Sequence, residues 1–170
     1  MLRAVSILLT TLAITFTSHA QSVTLLEAIA VLPPEYRNGI LKVSADEANP
    51  NPSTWYFQAR NAAKASDVYS LEVTDGALDV EKPSFNLSIL LGQTTPIDVS
   101  RLELDTPGLW RVISANTASS GRGVYSASYK LSQTGDNAAP VWQVWCYDSN
   151  GDEIAELNVL ATTGAVTSIR

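Results

Sequence analysis

The stretch from Pro140 to Val166, PVWQVWCYDSNGDEIAELNVLATTGAV, decides how the chain is read. From Val141 to Tyr147 large and polar residues alternate: Trp142, Val144 and Cys146 share one side, and Gln143, Trp145 and Tyr147 share the other. A period of two is the signature of a strand with two unlike faces. Asn150-Gly151 then reads as a hairpin turn, followed by strands over Ile154 to Ala161 and Val166 to Ile169. A weaker copy of this layout lies upstream, in STWYFQARN (53–61) and LEVTDGALDV (71–80). A shift of about 87 residues lays Trp55 on Trp142, and one residue more lays Gly76 on Gly164.

Working outward, VTLLEAIAVL (23–32) predicts a short helix capped by Ser22 and ended by Pro33 and Pro34, with Leu25, Leu26, Ile29 and Leu32 as its apolar stripe. Strands are predicted over Ile40 to Asp46, Trp55 to Arg60, Tyr69 to Thr74 and Ala77 to Glu81, the last two turned at Asp75-Gly76. A less regular connection follows, containing FNLSILLGQ (85–93). A second helix begins at Pro107, capped by Asp105 or Thr106, carries Leu109, Trp110, Val112 and Ile113, and stops near Gly121. A strand over Val124 to Ser132 leads back to the opening stretch. Order, spacing and element type agree between the halves, as in an internal repeat. The expected fold class is therefore α+β: two repeats, each one helix packed on a three- to four-stranded antiparallel sheet. The expected division is 1–20 signal peptide, 21–83 first repeat, 84–106 connection and 107–170 second repeat. One continuous sheet and two separate sheets both fit the pattern.

Residues 1–20, MLRAVSILLTTLAITFTSHA, place Arg3 before an apolar run and end in small residues at Ala20, the layout of a cleaved secretory signal. The run is shorter than the roughly 20 apolar residues that span about 30 Å of hydrocarbon. An exported product, periplasmic or extracellular, is expected. Cleavage removes Met1 and His19, the one methionine and the one histidine. A chain without histidine cannot run Ser-His-Asp or Cys-His chemistry or supply imidazole to catalytic zinc, and no enzyme activity is expected. Losing Arg3 leaves ten Lys and Arg against seventeen Asp and Glu, a net charge of −7 that disfavours nucleic acid and anionic membranes. The basic residues are scattered singly through the sequence. Cys146, the one cysteine, excludes an intramolecular disulfide, and its place beside Trp142 and Val144 predicts a buried, inert thiol.

On these residues a resemblance can be stated. VWQVWCYDSNGDEIAELNVLATTGAV (141–166) resembles the PepSY domain, whose hallmark is a strand carrying tryptophan, a turn, and a further strand leading to a small TG or DG hairpin. TWYFQARN followed by VYSLEVTDGAL (68–78) resembles it more loosely. The second copy departs from the pattern at Ala161-Thr162-Thr163, where an acidic residue often precedes the turn. The resemblance implies a tandem PepSY-like protein. Such domains occur in propeptides of thermolysin-like peptidases and in small exported bacterial proteins, as non-catalytic modules proposed to restrain peptidases, so a peptidase is the partner class it implies.

The strand faces opposite the core supply the candidate site. Tyr56 in the first half and Gln143, Trp145 and Tyr147 in the second project away from the tryptophan side. They are either covered by the other copy or by FNLSILL (85–91), or left open as an aromatic strip for a partner. Two functions follow: a protein-binding regulator, or an envelope structural or assembly protein that self-associates through this face. No cofactor or metal is expected. Asp148 to Glu153 gathers carboxylates, but its glycine is misplaced for an EF-hand loop. Ser120 to Gly123 follows a helix where a phosphate loop precedes one, and reads as a C-terminal cap. Asn86-Leu87-Ser88 matches a glycosylation acceptor.

Overall fold

The structure, a computed structural model, describes residues 22–84, 95–118, 121 and 123–170. The signal peptide, FNLSILLGQ and the Asn86 acceptor lie outside the described residues, as do parts of the Ser120 to Gly123 cap. Helix α1 spans Leu25–Val31 and α2 spans Pro34–Arg37; strands β1 (Ile40–Ala48), β2 (Thr54–Asn61), β3 (Lys64–Thr74) and β4 (Ala77–Pro83) follow. A 3-10 turn at Val99–Arg101 precedes helix α3 (Thr106–Thr117), then β5 (Ser126–Ser132), β6 (Val141–Tyr147), β7 (Glu153–Leu160) and β8 (Val166–Ile169).

The expected fold class is corrected here. The strands do not form two small sheets, each with its own helix. They form one eight-stranded antiparallel sheet in the order β4-β3-β2-β1-β5-β6-β7-β8, and the chain is mostly β. The join is the β1–β5 ladder, with Val43 opposite Leu131, Ser44 opposite Lys130 and Ala45 opposite Tyr129. A lone three- or four-stranded sheet would leave β1 and β5 as edges with unpaired backbone donors and acceptors; pairing them satisfies both rows at once.

The main core lies under one face of this sheet, and Leu41 and Val68 form a small separate buried pair. Trp55, Phe57, Val43, Tyr129, Leu131, Trp142, Val144 and Leu157 point into the main core, together with Leu25 and Ile29 of α1, Leu32 just after it, and Leu109 and Ile113 of α3. At its centre the Trp55 ring lies 6.3 Å from both Tyr129 and Trp142, and Tyr129 lies 6.0 Å from Trp142. Each polar tip is satisfied: Trp55 Nε1 donates to Val23 O at 3.0 Å, Trp142 Nε1 to Leu104 O at 3.3 Å and Tyr129 Oη to Pro50 O at 2.9 Å. These bonds let large amphipathic rings be buried without an unpaired donor.

Local chemistry explains the ends of the elements. Thr24, not Ser22, caps α1: its hydroxyl accepts from Glu27 N at 3.3 Å while the Glu27 carboxylate accepts from Thr24 N at 2.8 Å, a reciprocal capping box. Pro34 opens α2 instead of ending α1, since a first-turn proline sacrifices no helical hydrogen bond. Asp105 caps α3, and the same carboxylate oxygen accepts from Leu25 N at 2.9 Å, so one side chain ties the starts of both main helices together. Asp75 and Gly76, at φ of 51° and 78°, form the left-handed two-residue turn between β3 and β4. At Gly39 a Cβ would run into the Arg60 carbonyl, so only glycine lets the chain leave α2 this close to β2.

Candidate functional site

The face of the sheet turned away from this core follows from the register. Core residues Val43, Phe57, Tyr129 and Val144 are flanked by neighbours whose side chains alternate outward. Across the four central strands one outward row reads Tyr56 (β2), Ser44 (β1), Lys130 (β5) and Gln143 (β6). The next row reads Gln58, Lys42, Ser132 and Val141. Trp145 stands opposite Ser128 on β5 and Glu156 on β7, and Tyr147 opposite Ser126.

All four residues predicted as a site therefore share one sheet face. Gln143, Trp145 and Tyr147 line β6, and Tyr56 stands in the row of Gln143, three strand spacings away or about 14 Å. Tyr56 is 40% exposed, and the three β6 residues are half-buried. Gln143 is held by a bond from Nε2 to Glu156 Oε1 at 2.7 Å. Two depressions flank this surface. One, lined by Lys42, Ser44, Tyr56, Gln58, Ser70, Glu72 and Lys82, is a groove of about 160 Å³. The other, of about 670 Å³, opens at the end of β5 and β6 between Tyr125, Tyr147, Asp46, Glu47 and the Asp148 turn.

Sequence reasoning did not place Tyr125, Asp46 or Glu47 at that second hollow. Tyr125, 60% exposed, precedes β5. Asp46 and Glu47 sit where the β1–β5 register slips between Ala45 and Ala48, with Glu47 at φ 52°; such a bulge re-aims side chains that would otherwise alternate. The period-two pattern carried no sign of it, because the left-handed residue is a glutamate.

The Asp148 turn is structural. Its carboxylate accepts from Asn150 N at 2.8 Å and Asp152 N at 3.1 Å, while Asp148 N donates to Asp152 O at 2.9 Å. The loop is thus three residues long, Ser149 to Gly151, with Gly151 at φ 84°, where a two-residue turn was expected. Among the described residues no three His, Cys, Asp or Glu side chains converge to hold a metal ion. Cys146 is buried, and its thiol is pushed up to about 12, first by burial and then by the Glu153 carboxylate, so it stays neutral at ordinary pH. No helix among the described residues is long and apolar enough to cross a membrane.

No family model matches the chain, and no curated protein is similar to it in sequence. In fold it is similar to the crystal structure of a putative lipoprotein from Clostridium difficile 630, at 14% identity and a TM-score of 0.57, over 91% of this chain and 97% of that one.

Proposed function

We propose that this chain is an exported, non-catalytic binding module whose partner docks on the open face of the sheet. The observation that carries the reading is the contrast between the faces: one is sealed by helices over a tryptophan-centred core, while the other keeps Tyr56, Gln143, Trp145 and Tyr147 in contact with solvent. Aromatic side chains held on a sheet lose little rotational freedom on binding and bury large areas, which suits a protein interface. Export is supported by the signal-like segment 1–20 and by the fold shared with a protein described as a lipoprotein.

A peptidase is the partner class that the PepSY resemblance names. Incubating the protein from Gln21 onward with a panel of metallopeptidases tests it. The reading expects slowed hydrolysis at micromolar excess, lost in a Tyr56→Ser/Trp145→Ser variant; no slowing of any member rejects the peptidase version. Mass-resolved chromatography of the same pair separates a monomeric module from self-association through this face, which would show as a mass that falls in the variant.

A further inference from the structure

The basic residues that look scattered in the sequence are brought together by the register. Lys42 on β1 and Lys130 on β5 come from segments 88 positions apart, yet Ser44 faces Lys130 and Lys42 faces Ser132. The two lysines are thus diagonal neighbours on the open face, about 7–8 Å apart at the backbone. Set diagonally on adjacent strands, the two ammonium groups add their fields over one small area of the face.

Two carboxylates on the flanking strands are already engaged. Glu72 is in an ion pair with Lys82 at 3.7 Å, and Glu156 accepts from Gln143 and pairs with Arg170 at 4.0 Å. Neither Lys42 nor Lys130 has an ion pair among the described residues. Their flanks are Tyr56 on one side and Gln143 and Trp145 on the other. In a chain this acidic, two lysines without an ion pair among the described residues, framed by aromatics, make a small positive patch.

Resting on the proposed open-face binding, we infer that the Lys42–Lys130 pair receives carboxylates of an acidic segment of the partner protein, with Tyr56 and Trp145 packing on either side. Charge complementarity selects this occupant over a lipid surface. An anionic membrane laid on the face would also press its phosphates against Asp46 and Glu47, which lie exposed at the end of β1. A discrete protein segment can place carboxylates over the lysines alone. The same two acidic residues orient the partner, since they favour a basic group at that end.

The experiment uses the isotope-labelled protein from Gln21 onward and two decapeptides, one alternating glutamate and serine and one alternating lysine and serine. The glutamate peptide is expected to shift the amide signals of Lys42, Ser44, Lys130 and Ser132, to lose affinity as salt is raised, and to bind a Lys42→Gln/Lys130→Gln variant about tenfold more weakly. Equal binding to the variant, or no response on β1 and β5, overturns the inference. Lysine-dependent co-sedimentation with phosphatidylglycerol vesicles also overturns it, in favour of a membrane. If a protein partner loses affinity in Tyr56→Ser/Trp145→Ser but not in the lysine variant, the open-face reading stands and this inference falls. If neither variant matters, the open-face reading itself has failed.

Discussion

Strand β6 carries two tryptophans three residues apart with opposite fates. Trp142 is fully buried, its ring against Trp55 and Tyr129 and its indole N–H bonded to Leu104 O. Trp145 lies on the other face, half-buried, between Ser128 and Glu156. The same residue type on one strand thus lies sealed in the core in one place and partly open to solvent in the other, and parity along the strand decides which. The difference teaches that what a residue contributes here depends on the side of the sheet more than on its chemistry.

Substitution should break the pair cleanly. Trp142→Ala is expected to cost about 3–5 kcal/mol in denaturant unfolding, the range for emptying a large aromatic from a packed core. Gly39→Ala should follow at about 1–3 kcal/mol, because the added methyl meets the backbone carbonyl of Arg60 and the chain must shift to admit it. Asp105→Ala removes the α3 cap and the acceptor for Leu25 N, and about 1–2 kcal/mol should be lost in the same measurement. Trp145→Ser, half-buried on the other face, should cost about 1–2 kcal/mol, well below Trp142→Ala, while weakening binding of the proposed partner. A large stability loss at Trp145 would mean that its face is covered after all.

Cys146 sharpens the contrast by pH. Its thiol is raised from 9.0 to about 12, so the folded state holds this proton more tightly than the unfolded chain does. The stabilisation is then complete below about pH 9 and is lost as pH rises from 9 towards 12. Tyr36 adds the same sign over a higher window: burial, then its bond to Glu81, raises it from 10.0 to about 12. Unfolding followed between pH 8 and 11 should show falling stability, with a shallower fall in Cys146→Ala. A thiol reagent at pH 8 should leave native Cys146 unmodified and label it once denaturant is added.

Much of this was legible because single strands announce themselves. The limits of β6 were read residue for residue, since Trp142, Val144 and Cys146 alternate cleanly with polar or aromatic neighbours. Placing Tyr56, Gln143, Trp145 and Tyr147 on outward faces needed no more than the same parity. The single sheet was not legible, because the apolar faces of β1 and β5 show which side is buried but not which strand lies alongside. The Lys42–Lys130 pair was hidden for the same reason: it exists only through that ladder. Tyr125 was missed because it shares the parity of Ala127, Tyr129 and Leu131 and so reads as inward-facing, and the Asp46–Glu47 bulge because it breaks the alternation at the end of a strand.

The β1–β5 ladder also sets how the molecule comes apart. Its two strands stand at the middle of the sheet, each bonded on both sides, and they are joined only through a long excursion of the chain. Such a pairing costs the chain entropy of closing a large loop. Once made, it holds central backbone amides between elements from the two halves of the sequence, so backbone hydrogen exchange at Val43 and Leu131 should proceed through global opening, with one common opening free energy.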